Sequence, residues 1–124
     1  MIYDLVIIGL GPAGYTAGVR AIKHGLKVAV VERDRAGGTC LNRGCIPMKT
    51  LLHSAKLYDE RLSFEEMGIT GDIGFNQSKA YLRKNEISQK LSLGVETLLK
   101  GADIYKSDAE VFDGYVMANG QKIE

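Results

Sequence analysis

The sequence predicts an α/β fold of three layers: parallel strands, an irregular helix, a second, long helix, and a C-terminal antiparallel β-meander. Three observations predict it. Two apolar runs rich in β-branched residues, 2–8 and 26–31, enclose a helical stretch, which is the order of a β-α-β unit. Farther on, Ile87, Leu91, Val95, Leu98 and Leu99 recur at helical spacing. After Gly101, short strand candidates are separated by Asp113-Gly114 and Asn119-Gly120, both hairpin turn signals.

The first run, 2–8, reads as a parallel strand buried on both faces, and it ends at Gly9. A helix follows over 12–24, with Ala13, Ala17, Ala21 and Ile22 as its packed face and Gly25 as its C-terminal cap. Residues 26–31 form a second buried strand, which delivers Glu32. Next comes the segment Gly37-Gly38-Thr39-Cys40-Leu41-Asn42-Arg43-Gly44-Cys45-Ile46-Pro47-Met48-Lys49. In one ideal helix, Cα atoms five residues apart are roughly 8.7 Å from each other. A disulfide needs less than about 7 Å. Either the two cysteines never bond, or the backbone between them departs from helical geometry. Gly44 and Pro47 supply the means of departure. The expectation is a helix that starts near Thr39, is irregular over 43–47, and resumes at Met48 to carry Leu51, Leu52, Ala55 and Leu57 inward.

Residues 62–75, with Gly68, Gly71 and Gly74, read as an irregular connection. Asn76 or Ser78 caps the long helix, which runs to about Lys100. The strand candidates are then 103–105, 110–112, 115–117 and 122–123, taken together as the meander.

Composition narrows the function. The chain has 124 residues, 45% hydrophobic and 25% charged, which suits one domain with an ordinary core. Acids and bases are mixed and the net charge is +1, so there is no basic stripe for nucleic acid or an anionic membrane. No apolar run is long enough to span a bilayer, and the chain starts on a strand pattern where a secretory signal would begin with basic residues. The expected location is cytoplasmic. In that reducing compartment a bridged cysteine pair is more often catalytic than structural. No metal is expected, because only His24 and His53 accompany the cysteines and neither has ligand spacing.

Gly9-Leu10-Gly11-Pro12-Ala13-Gly14 matches G-x-G-x-x-G, flanked by a strand and a helix. Its glycines suit a tight turn, backbone approach to a pyrophosphate, and close helix packing, with the helix N-terminus facing the phosphates. Glu32 lies 18 residues after Gly14 at the end of the second strand. A carboxylate there accepts hydrogen bonds from a ribose 2′-hydroxyl and repels a 2′-phosphate, which favours FAD or NAD. The cysteines remain open between buried, inert thiols and a redox pair. The helix start ahead of Cys40, with Arg43 and Lys49 nearby, favours thiolate character.

With these elements in place, the chain resembles the N-terminal, FAD-binding part of the class I pyridine nucleotide-disulfide oxidoreductases, a Rossmann-like fold. That family includes lipoamide dehydrogenase, glutathione reductase and mercuric reductase. The likeness covers essentially the whole chain and is most specific in GGTCLNRGCIPMKTLL, where Leu41, Ile46 and Thr50-Leu51-Leu52 are more similar to the lipoamide dehydrogenase branch. Arg43 and Met48 depart from the common pattern. The resemblance implies that Cys40 and Cys45 form a redox disulfide, with Cys40 exchanging with substrate and Cys45 beside the flavin. It implies that Gly9, Gly11, Pro12, Ala13, Gly14, Glu32, Arg33, Gly38, Thr39 and Cys40 line the FAD, with Lys49 near the flavin ring and Ala109 touching the cofactor through its backbone. It also implies electron flow between NAD or NADP, FAD, the cysteine pair and a lipoyl or other disulfide, in a homodimer whose partner subunit supplies a His-Glu pair. Family members are several times longer, so residues 1–124 are expected to be a truncated FAD-binding domain, without the NAD-binding and dimerisation domains and inactive alone. The competing readings are a non-catalytic nucleotide-binding module, a glutathione or mercuric reductase-like member, and an NAD-dependent dehydrogenase fragment with incidental cysteines.

Overall fold

The computed structural model describes all residues 1–124, and its centre is β2 (Val28–Val31), a strand of four buried residues. β1 (Leu5–Ile8) and β3 (Ala102–Tyr105) pair with it in parallel on either side. Because successive side chains of a strand point to opposite faces, β2 serves two cores at once. Val28 and Val30 join Ile7, Leu10, Ala21, Val95 and Leu99 in a cluster on the helical side. Ala29 and Val31 face Tyr3, Val116, Ala118 and Ile123 on the other.

The helical layer contains α1 (Pro12–Lys23) and the C-terminal end of α4 (Gln77–Leu98). α1 packs through Gly18 and Ala21, and Ala13 and Ala17 are exposed, contrary to the packed face expected from alanine spacing. The reason is proximity: a Cβ on Gly18 would lie 2.7 Å from the Leu99 side chain, so the line of closest approach runs through glycine. The third layer is the antiparallel meander of β4 (Ala109–Phe112), β5 (Tyr115–Ala118) and β6 (Gln121–Ile123). Asn119 (φ 53°) and Gly120 (φ 71°) make its second turn, both with the positive φ of a type I′ hairpin.

Three expectations are corrected here. β1 begins at Leu5, leaving Ile2 exposed, and is only partly buried: Leu5 and Ile7 pack on the helical core and Val6 on the meander side, but Ile8 is 53% exposed. Residues 103–105 belong to β3 in the parallel sheet, since α4 acts as the crossover that returns the chain to β2. The meander therefore has three strands.

α2 (Gly38–Arg43) and α3 (Cys45–Asp59) divide at Gly44, whose φ and ψ are −126° and −111°. α3 resumes at Cys45, earlier than Met48, because Pro47 falls in its first turn, where an N–H has no intrahelical partner to lose. Leu51 and Tyr58 are half-buried, but Leu52, Ala55 and Leu57 are exposed where inward positions were expected. A 3-10 turn (Glu60–Ser63) and an irregular stretch lead to α4, capped by the Asn76 side chain, which accepts from the Lys79 N–H at 3.0 Å. On α4, Val95 is buried and Ile87 is half-buried, with Leu99 buried just past its end, but Leu91 and Leu98 face out.

Candidate active site

The glycine turn occupies the C-terminal end of β1. Gly9 (φ 96°) leaves the strand in a conformation that favours glycine. A Cβ on Gly14 would sit 1.9 Å from the Gly9 carbonyl oxygen, so helix and strand meet as closely as the motif requires. Gly11 is the N-cap of α1 and offers no side-chain bond, and the first turn has no acidic residue. Its leading N–H groups and positive dipole end are thus available to an anion. Pro12 and Ala13 are exposed beside them.

Gly38, the first residue of α2, rests against this turn. A Cβ on Gly38 would lie 2.9 Å from Gly11 Cα and 3.2 Å from Pro12 Cδ. The Gly37 N–H also donates to the Leu10 carbonyl at 2.7 Å. The cysteine segment is therefore fastened directly to the glycine turn.

Glu32 follows β2. Its carboxylate accepts the Leu10 N–H at 2.7 Å and the Asp34 N–H at 2.8 Å, one on each oxygen. Each oxygen keeps a second lone pair, so the group remains able to accept from a ligand. Glu32 lines a cleft of about 280 Å³ together with Ile8, Gly9, Val31, Arg33, Ser107, Asp108 and Ala109. Arg33 and Asp108, both exposed, form an ion pair at 3.8 Å.

Cys40 and Cys45 are joined by a disulfide with Cα atoms 4.8 Å apart. That separation is well short of the ideal-helix value, and the break at Gly44 accounts for it. Both cysteines are exposed, as are Thr39 and Lys49. Lys49 is four residues beyond Cys45 on α3, hence on the same helix face. α2 is held by Asn42, whose Nδ2 donates to the carbonyls of Ala36 and Gly38 at 3.0 Å each. Arg43 pairs with Asp34. The Arg43 guanidinium, through its hydrogen bond and its charge, holds the Asp34 carboxyl below the usual range.

The structure thus gathers Gly9, Glu32, Arg33 and Ala109 around one cleft and places Gly11, Pro12, Ala13, Gly14 and Gly38 at the adjoining turn. Neither cysteine nor Lys49 lines that cleft. Ile8, Val31, Ser107 and Asp108 were missed. Ser107-Asp108 reads in sequence only as a turn, yet it follows the carboxyl end of a parallel strand, where ligands of open α/β sheets bind.

The family model described as pyridine nucleotide-disulphide oxidoreductase matches residues 3–124. The chain belongs to that family. Among curated relatives, dihydrolipoyl dehydrogenase of Acholeplasma laidlawii is 39% identical over 98% of the chain and 38% of the relative. That of Bacillus subtilis is 42% identical over 98% of the chain and 25% of the relative. That of Mycoplasma genitalium is 45% identical over 89% of the chain and 24% of the relative. The HOCl-induced flavoprotein disulfide reductase RclA from Escherichia coli superposes with a TM-score of 0.79 at 32% identity, covering 98% of the chain and 26% of that structure. The chain thus spans between about a quarter and two fifths of the length of these proteins. No helix in it is long and apolar enough to cross a membrane.

Proposed function

We propose that residues 1–124 are the FAD-binding and disulfide-bearing N-terminal part of a flavoprotein oxidoreductase that, as a whole protein, oxidises dihydrolipoyl groups with NAD. The bridged Cys40–Cys45 pair, anchored through Gly38 to a nucleotide-type glycine turn, is the observation that carries this reading. The substrate follows from the names and the 39–45% identity of the relatives.

The residues suit FAD. The uncapped first turn of α1, with Gly11, Pro12, Ala13 and Gly14, takes the pyrophosphate, alongside Gly38, Thr39 and Cys40. Glu32 takes ribose hydroxyls, and the cleft with Arg33 and Ala109 receives the adenosine end. Lys49 and Cys45, outside that cleft, would face the flavin end. When bound, FAD supplies a two-electron carrier between the thiols and the nicotinamide.

The chain's own chemistry is thiol exchange. One thiolate of a dihydrolipoyl group attacks Cys40 Sγ, breaking the S–S bond and leaving a mixed disulfide and a Cys45 thiolate. The second substrate thiol then displaces Cys40, closing the lipoyl ring. One disulfide breaks, one forms, and two electrons and two protons pass from substrate to the cysteine pair. The proton is managed by a His-Glu pair of a partner subunit in a homodimer. His53 is eight residues past Cys45, about 12 Å along a helix. Residues 1–124 carry one nucleotide-type glycine turn, and by themselves they are expected not to turn over.

Oxidised lipoamide provides the test. Cys45→Ser leaves Cys40 free to open the lipoamide ring, and iodoacetamide added to cap the released substrate thiol blocks reclosure, so the mixed disulfide is retained as an adduct in the intact mass. Cys40→Ser gives little adduct. Equal labelling of both variants would overturn the assignment, and NADH-dependent lipoamide turnover by the chain alone would overturn its inactivity.

A further inference from the structure

Arg43 is placed to act at a distance. It is the last residue of α2, between the two sulfurs, and next to the break at Gly44. Its guanidinium holds the Asp34 carboxylate. The Asp34 N–H donates to one Glu32 oxygen at 2.8 Å, and the Leu10 N–H donates to the other at 2.7 Å. Hydrogen-bonded groups therefore run without a gap from the disulfide segment to the carboxylate of the cleft. Asn42 and the Gly37 N–H tie the same loop to α2 and to Leu10, so α2 and the 34–38 loop are fastened to each other.

From this geometry we infer that Arg43, acting through Asp34, is a positioning residue for Glu32 and makes the ribose end of the cleft respond to the state of the Cys40–Cys45 bond. The inference rests on the nucleotide reading of the cleft given above. With the bridge closed, α2 is stapled to α3 across Gly44 and Arg43 is held over Asp34. When a dithiol reduces the bridge, two electrons and two protons enter the cysteine pair and the dithiol closes to its own disulfide. Gly44 is then free to swing the end of α2, and the grip on Asp34 and Glu32 loosens. The oxidised chain therefore binds an adenosine nucleotide more tightly than the reduced one. By linkage, the nucleotide makes the bridge harder to reduce by the same factor. The Arg43 and Asp34 side chains are 68% and 39% exposed, so the coupling is modest, about two- to fivefold.

The experiment compares wild type, Arg43→Ala, Arg43→Lys and Asp34→Asn, each oxidised and after dithiothreitol, by amide hydrogen exchange at Leu10 and Asp34 and by ADP affinity. In wild type, reduction speeds exchange at both amides and weakens ADP about two- to fivefold. Arg43→Ala and Asp34→Asn are fast and weak in both states, and Arg43→Lys restores the redox dependence. Amides that respond in a chain that fails to bind ADP would support the coupling and sink the nucleotide reading. ADP affinity and amide exchange that ignore both the redox state and Arg43 would overturn the inference while leaving the cleft in place.

Discussion

All four residues of β2 are buried, whereas Met48, Leu52 and Leu57 on α3 and Leu82, Leu91, Leu93 and Leu98 on α4 are 43–60% exposed. Both regions are apolar in sequence. β2 has a strand on each edge, helices on one face and the meander on the other, all supplied within this chain. α3 and α4 pack on each other, and α4 buries Ala80, Ser88, Ser92 and Val95. Leu51 and Ile87 are half-buried, and the seven exposed side chains are left largely uncovered by residues 1–124. An apolar pattern thus states which residues gain from burial, and burial itself depends on a covering layer.

The sharpest way to break that comparison is a charge in each region. Val30 is fully buried with no polar partner for a carboxylate, so Val30→Asp should cost more than about 4 kcal/mol and abolish the cooperative urea transition. An intermediate effect tests the seam between the parallel sheet and the meander. Tyr3 is buried there, and its hydroxyl donates to Asp103 Oδ2 at 2.7 Å and lies 2.8 Å from the Tyr105 hydroxyl. Tyr3→Phe leaves those groups short of a partner and should lower stability by about 1–3 kcal/mol in the same titration.

Burial first, then the bonds to Tyr105 and Asp103, pushes the Tyr3 phenol above its ordinary pKa. A group raised on folding stabilises fully below its unfolded pKa, about 10, and that contribution is lost as pH rises beyond it. Wild type should therefore lose stability above about pH 10 more steeply than Tyr3→Phe, as followed by thermal melts. The smallest effect belongs to α3: Leu52→Asp should change stability by less than about 0.5 kcal/mol, because the side chain is 58% exposed. A loss above about 2 kcal/mol there would mean that α3 is covered and would erase the contrast with β2.

Much of the site was legible because its requirements are local. Gly14 is needed where a Cβ would strike the Gly9 carbonyl, and Glu32 ends a strand whose apolar run is plain in sequence. The break at Gly44 was legible for the same reason, since a five-residue separation fixes how far an unbroken helix would hold the cysteines apart. Ser107 and Asp108 were not legible, because they reach Glu32 only after α4 returns β3 to the side of β2. Nor was the Arg43 pairing with Asp34, nine residues away across a turn.

By itself the sequence determined the glycine turn, the carboxylate after β2, the interruption between the cysteines, and the hairpin turns. Each of these follows from steric or hydrogen-bonding limits felt within a few residues. The tertiary structure decided that residues 102–105 lie in the parallel sheet, that β1 has one open edge, that six of the seven leucines of α3 and α4 stay exposed, and that Arg43 connects the bridge to Glu32. These are contacts between distant segments. Their outcome depends on which surfaces compete for burial once the whole chain has folded.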